Sequence, residues 1–253
     1  MKAAGPLRRL ALFPYQLFVL IVFFALLPLC SLGVFFASLF DARGDRAHRC
    51  LTYWARANLA LVGLRVRIEG LERLGPKGTY IFMPNHASFL DILLVLACIP
   101  YNFRMITKEE MFRIPFIGWI LRRSGQIPMD RTHPRQGLKS LRQASHLVQE
   151  GISIVVFPEG TRTSNGRISE FKATLFILPI RSSAPVVPVL IEGTFSALKR
   201  GSILLNPVPL KLTFHTPIPA GPFKEGDRSL YAKHVQEILV SSLSPTPVSS
   251  SLR

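Results

Sequence analysis

The chain has 253 residues, enough for one large domain or a domain with an appendage, and for a substantial core. Its three cysteines suggest no disulfide framework, which excludes a stapled secreted scaffold, and no His/Cys spacing resembles a metal site. Lysine and arginine number 31 against 15 acidic residues, a net charge of +16 that points to an anionic partner, and the mean hydropathy of +0.29 is high for a purely soluble protein.

The apolar excess sits at the N-terminus, where Leu10 to Phe40 carries no charged residue. As one helix this run would be about 46 Å long, against roughly 30 Å for a bilayer's hydrocarbon core. Pro28, followed by Ser31 and Gly33, is expected to split it into two short helices, a re-entrant hairpin in one leaflet, with a tilted single span as the alternative. Lys2, Arg8 and Arg9 precede the run as in a signal peptide, but it far exceeds the usual apolar stretch of roughly 7–15 residues. Arg43, Arg46, Arg49 and Arg56 follow it, so basic residues flank both ends, as in a hairpin with both ends on the cytoplasmic side. Cys30 and Cys98 in apolar runs and Cys50 after the membrane segment fit a body on that reducing side. Residues 1–57 are thus expected to form a membrane-associated helix or helical hairpin.

From residue 58 to about 240 strands and helices alternate. Val62, Leu64, Val66 and Ile68 alternate with polar positions as a half-exposed strand does after a helix. The apolar, aromatic TYIFMP reads as a buried strand, and DILLVLACI continues as a helix, which puts NHASFLD, Asn85 to Asp91, at a strand-to-helix junction. Ser88 and Asp91 have the spacing of a capping box. Side chains in a first helical turn lean back toward the N-terminus, so Asp91 can reach His86 on the incoming loop and fix its tautomer, leaving the other ring nitrogen to take a proton from a hydroxyl. The plain alternative is that Ser88 and Asp91 only cap a helix. The other histidines, His48, His133, His146, His215 and His234, have no comparable partner in sequence.

The segment KEEMFRIPFIGWILRRSGQIPMDR is rich in aromatic and basic residues. Thr132 and Pro134 are expected to open a helix that Gly151 closes, and ISIVVF then reads as a strand. FPEGTRT, Phe157 to Thr163, follows it. Pro158 and Gly160 suit the second and fourth positions of a type I turn, Arg162 offers a planar fork for phosphate, and Glu159 could hold that fork; a solvated surface turn is the alternative. Further strands are expected in APVVPVLIEG, SILLNPVP and LKLTFHT, with Pro207 and Pro209 marking the late strand as an edge. The order implies an α/β fold, a mainly parallel sheet flanked by helices, with an N-terminal helical membrane element. Residues 241–253 form a Ser/Pro-rich tail expected to be disordered.

Basic residues such as Arg122, Arg123, Arg131, Arg135, Lys139, Arg142, Lys199 and Arg200 are scattered without interleaved aromatics, which favours anionic membrane lipid over any specific nucleic acid as partner. Together the motifs resemble the glycerophospholipid acyltransferase family, in particular its 1-acyl-glycerol-3-phosphate acyltransferases, over most of residues 58 to 195. NHASFLD matches its N-H-x-S-x-x-D block, and KEEMFRIPFIG, FPEGTRT and VPVLIEG match three further blocks in order. Where the family often has F-K-x-G-x-F, this chain has FKATLF, with Thr174 in place of glycine.

The resemblance implies acyl transfer from a thioester, acyl-CoA or acyl carrier protein, to the sn-2 hydroxyl of 1-acylglycerol 3-phosphate, giving phosphatidic acid with no cofactor beyond that co-substrate. It makes His86 the general base and Asp91 its orienting group. It assigns Glu159, Gly160, Thr161 and Arg162 to the block associated with the acceptor phosphate, with Lys108 and Arg131 as further candidates for that anion. The same chemistry on glycerol 3-phosphate or another lysophospholipid, and a non-catalytic membrane-tethered anion-binding protein, are the alternatives.

Overall fold

Seven short strands, β1 (Val66–Glu69), β2 (Ile81–Pro84), β3 (Phe103–Lys108), β4 (Ile127–Met129), β5 (Ser153–Val155), β6 (Val186–Glu192) and β7 (Leu210–Phe214), form one sheet in the order β1-β7-β6-β2-β5-β3-β4 in the computed structural model. It describes residues 13–130, 132–202 and 204–243; Lys2, Arg8, Arg9, Arg131 and the tail from 244 onward lie outside them. Every pairing is parallel except β6 with β7, as the alternation of strands and helices implies. The carboxyl ends of β2 and β5 are therefore neighbours on one edge, and both motif loops leave from there.

Apolar layers cover both faces. On one, β2, β6 and β7 give Phe82, Val187, Val189 and Leu212 to a core shared with α1 (Phe13–Leu39), α2 (Asp45–Leu61), α3 (Leu90–Cys98) and α4 (Ile117–Arg123). On the other, Ile81, Ile154 and Leu190 pack against α5 (Pro134–Gln149), α6 (Ile177–Ser182) and α8 (Arg228–Ser241). Central strands buried on both faces carry unbroken apolar runs for this reason.

Helix α1 runs unbroken through Pro28, so the expected split into two short helices does not occur. A proline inside a helix loses one hydrogen bond and crowds the preceding turn. Here lateral packing offsets that cost. Helix α2 buries Ala47, His48, Leu51, Ala55 and Leu59 along one stripe and lies antiparallel to α1. Tyr15 donates to the Val62 carbonyl (2.8 Å), Phe23 meets the Trp54 ring edge-on, and Gly33 lies opposite Cys50. Farther along, Phe35 stacks on Trp119 of α4. The outer face stays apolar: in the most apolar window of α1 only 17% of positions are buried, and the helix is long and apolar enough to cross a membrane.

Other expectations need correction. Residues 204–209 form no strand, because Pro207 and Pro209 lack the N–H a ladder requires. Instead the Gln16 amide exchanges two hydrogen bonds of 2.7 Å with the Leu205 backbone. Strand β7 is internal, between β1 and β6, and the sheet edges are β1 and β4. His133, not Thr132, is the residue before α5, because the Thr132 hydroxyl turns to Asp130 (2.6 Å). Strands β3 and β4, within and beside the aromatic and basic segment, carry no alternation that marks them in the sequence.

Beyond the end of β2, the Asn85 amide continues the pairing with β6 as a backbone unit would. Its Nδ2 donates to the Ile191 carbonyl (3.0 Å) and its Oδ1 accepts the Ile191 N–H (2.7 Å). Asn85→Ala leaves both buried groups unpaired, and thermal unfolding should show a loss of about 2–4 kcal/mol. An unchanged midpoint would mean the amide does not hold the loop.

Candidate active site

The NHASFLD loop is organised by one carboxylate. Asp91, with 0% of its side chain exposed, uses Oδ2 to accept from His86 Nδ1 (2.9 Å), Ala87 N (2.6 Å) and Ser88 N (2.7 Å). A carboxylate taken out of water requires such donors. An ionised carboxylate only accepts, so Nδ1 must carry the proton and a neutral imidazole presents a bare Nε2. The ring stacks on Phe157 with 4.1 Å between centroids and keeps 14% of its side chain exposed. Half of the expected capping box is present. Phe89 precedes the first residue of α3, while the Ser88 hydroxyl donates to the Leu198 carbonyl (2.7 Å) and takes only a long bond from Leu90 N (3.3 Å).

FPEGTRT grips this loop by its backbone. The Phe157 carbonyl accepts the Gly160 N–H (3.0 Å), closing the turn with Pro158 and Gly160 at the expected positions. Gly160 has φ +70°, and a Cβ there would come within 2.7 Å of the Lys172 side chain. The turn directs Glu159 inward, where Oε1 accepts the His86 N–H (2.6 Å) and Oε2 the Ser169 N–H (2.8 Å). The His86 carbonyl in turn accepts the Thr163 N–H (2.9 Å). Both backbone polar groups of the histidine are thus held by the second motif. Burial pushes the Glu159 carboxyl above its ordinary value, against the pull of the two N–H groups.

Glu159 therefore does not hold the Arg162 fork, as the sequence suggested; both of its oxygens are taken by backbone. Arg162 lies half-buried over the Phe89 ring, its guanidinium carbon 4.2 Å from the centroid. Burial, and then the charge of Arg200, lower its proton affinity, while Asp91 opposes them. Thr161 is exposed at the mouth of the turn. Lys108 ends β3 on the same sheet edge, but its ammonium is paired with Glu110 at 2.8 Å. Arg131 lies outside the described residues. Thr174 is exposed on the turn after Lys172, so its side chain points away from the core.

Two histidines beyond His86 do have carboxylate partners: His133 meets Asp130 (2.6 Å) and His146 meets Glu150 (3.0 Å). Both rings are largely exposed and face no second motif. His48 is buried against Phe103, and desolvation lowers its pKa to about 3, so it stays neutral. Among the described residues no three His, Cys, Asp or Glu side chains converge as metal ligands would. Lys172, beside Gly160, and Arg200, beside Arg162, are site neighbours that no sequence spacing marks.

A protein-family profile described as Acyltransferase matches residues 65–192. A chloroplastic 1-acyl-sn-glycerol-3-phosphate acyltransferase of Arabidopsis thaliana is 34% identical over 196 residues, covering 76% of this chain and 54% of the relative. A 1-acyl-sn-glycerol-3-phosphate acyltransferase of Limnanthes alba is 30% identical over 196 residues, covering 76% and 69%. The chain spans about half the length of the chloroplastic relatives it matches. The crystal structure of the 1-acyl-sn-glycerophosphate acyltransferase of Thermotoga maritima superposes with a TM-score of 0.74 at 24% identity, covering 95% of this chain and 99% of that one, so the two share a fold.

Replacing Glu159 by Gln leaves one acceptor oxygen for two N–H groups. It should cost about 1–3 kcal/mol in unfolding free energy. Turnover should fall with it, since the backbone of His86 loses its anchor. Wild-type stability and turnover together would show that the bridge does not position the histidine.

Proposed function

The chain belongs to the acyltransferase family, and from that premise we propose that it is an interfacial O-acyltransferase that moves a fatty acyl group from a thioester to the sn-2 hydroxyl of 1-acylglycerol 3-phosphate, giving phosphatidic acid. The observation that carries this reading is the His86 to Asp91 bond at 2.9 Å, with Arg162 lying over the Phe89 ring of the same loop. Nε2 takes the proton of the acceptor hydroxyl as its oxygen attacks the thioester carbonyl. Asp91 stabilises the imidazolium that forms. Collapse of the tetrahedral species expels the thiolate, which takes the proton back from the ring. No covalent acyl-enzyme is needed, because both substrates are held together at one edge. The donor is acyl-CoA or acyl carrier protein.

Arg162 suits the acceptor phosphate, since a guanidinium fork matches its oxygens. The acceptor's own acyl chain stays in the bilayer, so its enzyme needs an apolar anchor near a basic site. Helix α1 supplies one. It touches α2, Leu205 and α4 from Tyr15 to Phe35, and α2 carries Arg46, Arg49 and Arg56 exposed alongside it. If α1 spanned the bilayer with α2 at its side, those charges would sit in hydrocarbon at considerable cost. An in-plane anchor in one leaflet avoids this and leaves the arginines for anionic headgroups. The free cysteines fit a catalytic body on the cytoplasmic face.

With purified protein, lysophosphatidate and both donor types, His86→Ala should lower turnover by about 10²–10⁴ while binding to anionic vesicles is unchanged. Asp91→Asn should be nearly as damaging. Unchanged turnover in His86→Ala would sink the base assignment, and acylation of another lysolipid but not of lysophosphatidate would sink the acceptor.

A further inference from the structure

Beside the catalytic loop the side chain of one arginine reaches the backbone of another. Arg162 lies over the Phe89 ring, and Arg200 donates from Nη1 to the Arg162 carbonyl at 3.3 Å. Among the described residues neither forms a salt bridge. The segment that presents Arg200 is fixed. After the short helix α7 (Thr194–Ala197) the Leu198 N–H donates to Thr194 O, and the Ser202 N–H to Lys199 O across Gly201, whose φ is +78°. The Leu198 carbonyl accepts the Ser88 hydroxyl at 2.7 Å. Ser88 belongs to the same loop as His86, so the two arginines and the histidine are tied into one frame.

We propose that Arg162 and Arg200 form a paired-guanidinium site for the dianionic phosphomonoester of the acceptor, and that Arg200 makes the enzyme select this headgroup over singly charged phosphodiester lysolipids. The inference rests on the acyl-acceptor reading above. Two like charges held by separate loops at one site repel unless an anion lies between them. A phosphomonoester carries nearly two negative charges at neutral pH and three free oxygens, enough for a fork on each side, whereas a phosphodiester has one charge and two free oxygens. Burial, and then the charge of Arg200, lower the proton affinity of Arg162, with Asp91 opposing them, so the two guanidinium charges feel one another. Glu159 makes no salt bridge to either arginine; both of its oxygens accept backbone N–H groups.

The test is steady-state acylation of lysophosphatidate and of lysophosphatidylglycerol, with inorganic phosphate as inhibitor, by wild type, Arg162→Ala, Arg200→Ala, Arg200→Lys and, as a charge control, Arg142→Ala on the exposed face of α5. Arg200→Ala should raise KM for lysophosphatidate by about tenfold or more, corresponding to one lost charge-assisted contact, with kcat within about threefold. Its KM for the acyl donor should not move. Inorganic phosphate should inhibit it about tenfold less well, Arg200→Lys should fall between, and Arg142→Ala should match wild type. A KM for lysophosphatidate within about twofold of wild type in Arg200→Ala, while Arg162→Ala is impaired, would overturn the pairing alone. A rise in donor KM instead, or an equal loss on both acceptors, would overturn it as well. Failure of the wild type to acylate lysophosphatidate would strike the acceptor reading itself.

Discussion

A carboxylate withdrawn from water must be given hydrogen-bond donors, and Asp91, with no exposed surface, obtains three from a stretch of only three residues. To deliver the N–H groups of Ala87 and Ser88 and the ring of His86 to one oxygen, the chain must curl tightly as it leaves β2. That curl aims the imidazole and sets its tautomer. Glu159 does the equivalent for the second loop: it joins the backbone of His86 to that of Ser169. Two buried carboxylates, one per motif, thus convert a pair of neighbouring strand ends into one rigid site.

The sheet makes this possible because β2 and β5 are parallel neighbours although 68 residues separate Asn85 from Ser153 in sequence. Apolar residues on both faces of these strands fix their register, and Asn85 extends the β2 pairing with β6 to the residue before the histidine. The α1 and α2 pair stands on one face of the same sheet. Its apolar outer surface and exposed arginines suit a lipid interface, and the Gln16 to Leu205 exchange links it to the segment that follows Arg200. The helix pair, the Arg200 segment and the His86 loop are thereby connected through short, well-defined contacts.

The parts legible in the sequence were those where local chemistry and tertiary role coincide. The apolar runs of β2, β5 and β6 announce buried strands, and the S-x-x-D spacing brings Asp91 back toward His86. Strand β3 was hidden by Arg104, which reads as a surface residue yet is 1% exposed. Its guanidinium finds Asn102, the Phe103 and Arg43 carbonyls and Asp45, partners supplied in part by the distant start of α2. Pro28 misled in the opposite direction, since a local breaking rule yielded to packing along the whole of α1. Glu159 and Arg162 stand close in sequence and carry opposite charges, which suggests a pair; the turn between them separates the two, one inward and one over Phe89. Arg200 was one basic residue among many, because only the fold brings it to Arg162.

Everything in the catalytic reading depends on which ring nitrogen of His86 holds the proton. With ¹⁵N-histidine-labelled protein, the His86 signals identified by their loss in His86→Ala, nitrogen shifts at neutral pH decide this directly. Protonated Nδ1 beside Asp91 and an unprotonated Nε2 are expected. A proton on Nε2 with a bare Nδ1 would contradict the assignment of His86 as a general base oriented by Asp91.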